Sequence, residues 1–292
     1  VLPFQPSLLC LPNEILAEIF ENLRSGKDRA NFGSMNNRLG AIEKITGCRD
    51  FSTVCYSTIE QPEIIAWDTS ANKFKKTPSD DGLDAFFRRS TCRSLVIEGS
   101  LTKNDEDSIL TAFKSLDFKQ LKAEFKGDYA GSFLIDLLKH RNDIEELHIG
   151  GQRWTVGEEV DEARRMLMTI PATRRLTVAS SSSDLLNDDV ICHLVSVSHH
   201  SDLSGVKETS ITTNGLAKVF ETIAQSPIYK QVTCSVAPSA LHQFLQQKQS
   251  QFSVVFGTNL EHVETETRFD YRTDKYDPEG FVHVSIRSSK RP

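Results

Sequence analysis

Cys92-Arg-Ser-Leu95-Val-Ile97 sets a pattern that returns down the chain as Phe118-Lys-Gln-Leu121-Lys-Ala123, Ile144-Glu-Glu-Leu147-His-Ile149 and Thr173-Arg-Arg-Leu176-Thr-Val178. The first two steps are 26 residues long and the third is 29. In each copy the fourth and sixth positions are apolar, the spacing of one face of a β-strand. Fainter copies stand at Tyr229-x-x-Val232-x-Cys234 and Phe252-Ser-Val-Val-Phe256.

Between these strands the apolar period lengthens to that of a helix. Ile109, Leu110, Phe113 and Leu116 mark the first helix, behind Asp105, Glu106 and Asp107. Phe133, Leu134, Leu137 and Leu138 mark the second. Val160, Ala163, Met166, Leu167 and Ile170 mark the third, opened by Glu158 and Glu159. Acidic residues in a first turn suit the positive end of the helix dipole. Three more helices are expected, around Leu185, Leu186, Val190, Ile191 and Leu194, around Leu216, Val219, Phe220 and Ile223, and around Leu241, Phe244 and Leu245.

A strand–helix unit repeated at this period cannot bury its own apolar face and must stack on its neighbours. The region resembles a degenerate leucine-rich repeat, although it lacks the Asn or Cys that normally follows the strand. A doubly wound α/β sheet would produce the same alternation of elements. Farther on, 264–272 and 281–286 alternate polar and apolar residues around a segment holding Pro278 and Gly280, which reads as an antiparallel hairpin. The expected class is α/β, with a leucine-rich-repeat-like domain over 92–292. Residues 49–91 show little periodicity and are expected to be a connector.

Residues 1–48 read differently. In Leu8-Leu-Cys-Leu-Pro-Asn-Glu-Ile-Leu-Ala-Glu-Ile-Phe-Glu-Asn-Leu23, Pro12 suits a first helical position and Glu14 the first turn. Leu11, Ile15, Ile19 and Leu23 recur every four residues as one stripe, widened by Leu16 and Phe20. Met35, Leu39, Ile42 and Ile45 mark a second helix, and Asp28 to Ser34 a linking piece. Three short helices cannot bury all of these side chains among themselves, so the stripe implies a partner or, as an alternative, a helical cap on the next domain.

The ordered set Leu11-Pro12-x-Glu14-Ile15-Leu16-x-x-Ile19-Phe20-x-x-Leu23, Asp28-Arg29 and Met35-Asn-Asn-Arg38-Leu39 resembles the F-box motif over residues 8–48. The resemblance implies a three-helix module that binds a Skp-family adaptor and, through it, the cullin of a ubiquitin ligase. The positions it assigns to the adaptor are Leu9, Leu11, Pro12, Ile15, Leu16, Ile19 and Leu23. Arg29 and Ala30 stand where many F-boxes carry two leucines, and Leu39 where many carry tryptophan. An F-box receptor would do no bond chemistry of its own. A non-catalytic scaffold with a decayed F-box is the alternative.

The remaining features exclude rather than assign. A net charge of −6 and a pI near 5.8, with basic residues scattered, argue against nucleic acid as partner. Cys10, Cys48, Cys55, Cys92, Cys192 and Cys234 include no Cys-x-x-Cys pair, and no metal or cofactor is expected. The opening residues lack the basic stretch of a signal peptide, and no apolar run reaches the ~18 residues of a membrane span. Cytosol or nucleus is the expected compartment. Cys192 and His193 are adjacent on a helix and point apart, so they make no dyad. His199 and His200 are expected at a helix end before a polar loop. For a target protein, the period-two rule offers Glu98, Lys122, Glu124, His148 and Thr177 on one strand face, with Trp154 in the following loop.

Overall fold

The computed structural model describes residues 11–22, 31–46, 50–69, 72–78, 83–87, 90–100, 103–126, 130–139, 141, 144–152, 158–180, 184–206, 208–256, 259–262, 267–273 and 281–288. It is a mixed α/β protein built on one 13-stranded sheet. Helices α1 (Asn13–Asn22) and α2 (Asn37–Thr46) come first, and residues 31–34 between them are also helical. Then follow β1 (Asp50–Ser57), β2 (Glu63–Asp68), β3 (Lys73–Lys76), α3 (Leu83–Phe87), β4 (Thr91–Ser100), α4 (Lys103–Lys114), β5 (Asp117–Lys126) and α5 (Ala130–Leu138). Alternation continues through β6 (Ile144–Gln152), α6 (Glu158–Leu167), β7 (Thr173–Ser180), α7 (Asp188–Val197), β8 (Ser198–Val206), α8 (Thr213–Gln225), β9 (Gln231–Val236) and α9 (Pro238–Lys248). The chain closes with β10 (Phe252–Phe256), β11 (Asn259–His262), β12 (Arg268–Thr273) and β13 (Val282–Arg287).

Strand order is β10-β11-β12-β13-β9-β8-β7-β6-β5-β4-β1-β2-β3. From β1 through β4 to β9 every neighbouring pair is parallel, and the order follows the chain without reversing. Crossovers between parallel strands are right-handed, so a series that never reverses lays its helices on one face. Burial agrees. Leu95, Ile97, Leu121, Ala123, Leu147, Ile149, Leu176 and Val178 are buried under the helices, while Glu98, Lys122, Glu124, Glu146, His148 and Thr177 remain partly open on the other face. A doubly wound sheet reverses its order within the parallel strands and covers both faces; from β1 to β9 the order here does not reverse, and among the described residues one face stays partly open.

The segment 49–91, expected as a connector, instead carries three strands and α3. β1 pairs in parallel with β4, and β2 and β3 add an antiparallel edge. β1 buries Phe51, Val54 and Tyr56 in register with Cys92, Leu95 and Ile97, a further copy of the strand pattern. The expected polar loop at His199 and His200 is strand β8. Its buried positions include two serines: Ser198 Oγ donates to the Leu194 carbonyl at 2.7 Å and contacts the Ser201 hydroxyl. Leu185 and Leu186, expected inside a helix, are buried just ahead of α7, whose N-cap Asn187 accepts from the Val190 amide at 3.0 Å.

Both ends of the core are closed by phenylalanines. Phe51 meets Phe74, Phe86 and Phe87 at one end, while Phe244 stacks on Phe269 at 5.2 Å and packs with Phe220 and Phe252 at the other. β12 and β13 form the expected antiparallel pair, and β13 extends the sheet from β9. Where no Asn follows the strands, cations meet helix carbonyls instead. Arg141 donates to the carbonyls of Phe113 and Leu116 at the end of α4 and lies 4.4 Å over the Phe118 ring. Lys230 Nζ donates to the carbonyls of Val195, Ser196 and Ser198 at the end of α7. Positive charge at a helix C-terminus opposes the dipole and satisfies its last carbonyls.

The N-terminal helices form a second, smaller core. Leu16 and Phe20 of α1 pack on Leu39 and Ile42 of α2, with Leu11, Ala17, Ile19 and Phe32 around them. This cluster is separate from the core under the sheet.

Candidate interaction surfaces

The apolar stripe of α1 divides between two roles. Leu16 is 0% exposed and Phe20 stands 4.9 Å from Phe32, both inside the small core. Ile15, by contrast, is 42% exposed, Pro12 is exposed, and Leu11 and Ile19 are half-buried. Met35, just ahead of α2, is 73% exposed. The outward part of the stripe is therefore Leu11, Pro12, Ile15 and Ile19, with Leu16 buried beneath. Leu9, Leu23, Arg29 and Ala30 lie outside the described residues.

Arg38 fixes the start of α1. Its Nε donates to Asn13 Oδ1 at 2.8 Å and its NH2 donates to the Leu11 carbonyl, also at 2.8 Å. That carbonyl belongs to the residue before Pro12, where the chain turns into the helix. The motif's two ends, Leu11-Pro12 and Arg38-Leu39, thus meet in space.

The second surface is the open face of the sheet. Parallel register aligns Ser94, Gln120, Glu146 and Arg175 in one row and Val96, Lys122, His148 and Thr177 in the next, with Glu98 beside Glu124 beyond. These rows bring together five of the six residues expected at a target surface; Trp154 lies outside the described residues. A depression of about 420 Å³ opens over β4–β7, lined by Ser94, Gln120, Lys122, Glu146, His148, Arg175 and Thr177. Ser94, Gln120, Glu146 and Arg175 were missed in the sequence reading. The same period-two rule would have found them, because the third and fifth positions of each copy share a face.

Charges on this face are paired along β5 and across neighbouring strands. Glu124 Oε1 lies 3.2 Å from both Lys122 Nζ and His148 Nε2, and Arg175 NH1 reaches Glu146 Oε1 at 3.3 Å. Gly150 permits the first arrangement: a Cβ there would stand 2.8 Å from His148 Nε2. A second depression, of about 480 Å³, continues the face over β8, β9, β13 and β12, with Ser204, Thr233, Asp270, Arg272, His283 and Ser285 on its walls.

Nucleophile chemistry finds no support in the four described cysteines, Cys55, Cys92, Cys192 and Cys234. Burial pushes the thiols of Cys92 and Cys234 up to about 12, and burial with Glu98 and Glu63 nearby pushes Cys55 to about 11. Burial also raises Cys192 and lowers His193, the opposite of an activated thiolate beside an imidazolium. Among the described residues, no three His, Cys, Asp or Glu side chains are placed to hold a metal ion, and no helix is long and apolar enough to cross a membrane. No protein-family model matches the chain, and no curated protein is detectably similar to it.

Proposed function

We propose that the chain is an F-box receptor subunit of a Skp–cullin–F-box ubiquitin ligase. Residues 8–48 would dock the Skp-family adaptor, and the strand–helix region, as a leucine-rich-repeat-like array, would hold a target protein on its open face. The observation that carries this reading is the N-terminal module. Its ordered motif closes a small core of its own and still turns Pro12 and Ile15 outward. An apolar face kept on a module with its own core suits a partner better than an intramolecular cap. The monotonic parallel order from β1 to β9, and the face that the described helices leave open, support the array.

The mechanism is positional. A receptor that holds adaptor and target together raises the target's concentration near the ligase's catalytic machinery without adding chemistry. Binding of the full chain to a purified Skp-family adaptor tests the proposal. Adaptor binding that Pro12→Ala with Ile15→Ala abolishes supports it. A folded chain that ignores the adaptor but captures another protein would favour the scaffold with a decayed F-box, consistent with the departures at Arg29, Ala30 and Leu39.

A further inference from the structure

The chemistry of the open face narrows what it can hold; the inference rests on reading that face as the target surface. The depression over β4–β7 is lined by two cations, Lys122 and Arg175, and one carboxylate, Glu146, while Glu98 and Glu124 stand in the row beyond. Glu146 gives Oε1 to Arg175 at 3.3 Å, and Glu124 gives Oε1 to Lys122 and His148 at 3.2 Å each. The donors are not exhausted. A lysine carries three N–H groups and an arginine five, and the side chains of Lys122 and Arg175 are 47% and 64% exposed. Gln120 adds an amide to the same wall. A lining with two cations to one carboxylate complements an acceptor that carries negative charge.

Lys122 stands on β5 and Arg175 on β7, with β6 between them. Two strand spacings and a two-residue offset along the strands set their backbones roughly 12 Å apart, a gap that both long side chains can narrow onto a group lying over β6. A volume of about 420 Å³ accommodates a side chain rather than a domain. We propose that this depression seats an aspartate or glutamate side chain of an extended target segment, with Lys122 and Arg175 as its cationic partners.

The test is selection of random short peptides on the immobilised full chain at low ionic strength. Asp and Glu should be enriched over Asn and Gln at one position. Lys122→Gln with Arg175→Gln should reduce that preference about tenfold, and Glu146→Gln, which releases Arg175, should strengthen it. Both cationic side chains are exposed, so the double variant should melt like the wild type. No acidic preference, or one unchanged in the double variant, would overturn the inference. So would a parallel phosphopeptide selection in which only phosphoserine is retained. Adaptor binding, measured on the same preparations, separates the two readings. Adaptor binding without acidic preference leaves the receptor proposal standing and removes this one; acidic preference without adaptor binding does the reverse.

Discussion

Arg38, the second residue of α2, donates from Nε to Oδ1 of Asn13, the first residue of α1, at 2.8 Å. With the bond from NH2 to the Leu11 carbonyl, one guanidinium ties the start of both helices together. Arg38→Ala should cost the module about 1–2 kcal/mol and leave the sheet untouched. Amide hydrogen exchange checks this: residues 11–22 should exchange faster while 91–100 and 117–126 keep their protection.

Leu16 and Ile15 are neighbours with opposite duties. Leu16→Ala leaves a cavity among Phe20, Leu39 and Ile42 and should destabilise the module by roughly 2–5 kcal/mol. Ile15→Ala removes a side chain already 42% exposed and should shift stability by less than about 1 kcal/mol. Chemical denaturation followed by a probe within residues 11–46 distinguishes them.

Lys230 is a buried cation whose pKa burial lowers, kept in place by three carbonyls. Lys230→Met preserves the alkyl stem and strands those acceptors at the end of α7. A loss of about 3 kcal/mol is expected, read as a lower denaturation midpoint. A midpoint equal to that of the wild type would show that the capping bonds contribute nothing net.

The buried thiols set an alkaline limit. Cys92 and Cys234 have folded pKa values near 12 against an ordinary 9.0. Because the folded values are raised, their stabilising contribution is complete below pH 9 and is lost as pH climbs from 9 through 12. Each thiol should remove on the order of 1 kcal/mol per pH unit in that window. Urea midpoints at pH 8 and pH 10 should therefore diverge more for the wild type than for Cys92→Ala with Cys234→Ala.

The sequence made the parallel strands visible where apolar side chains supply the inward face, as in Leu95 and Ile97 or Leu147 and Ile149. It hid β8, because Ser198 and Ser201 occupy buried positions there by hydrogen bonding rather than by hydrophobicity. β1–β3 were hidden for another reason. β1 does carry the pattern, as Phe51-x-x-Val54-x-Tyr56 in register with Cys92-x-x-Leu95-x-Ile97, but it stands 41 residues ahead of β4, outside the regular spacing, because β2, β3 and α3 intervene. In α1 the stripe was legible but its division was not. A partner helix covers only part of a wide apolar face, and the positions of Leu39 and Ile42 decide that Leu16 and Phe20 go inside while Ile15 stays out. On the open face, lateral register adds what one strand cannot tell: Lys122, His148 and Thr177 stand side by side on β5, β6 and β7.

The most direct measurement is a calorimetric titration of the full chain with a purified Skp-family adaptor, run beside a variant carrying Leu11→Ala, Pro12→Ala and Ile15→Ala. Saturable binding by the wild type, lost in a variant whose sheet still melts cooperatively, is the expected result. A folded wild-type chain that gives no binding heat and does not co-elute with the adaptor would contradict the receptor assignment.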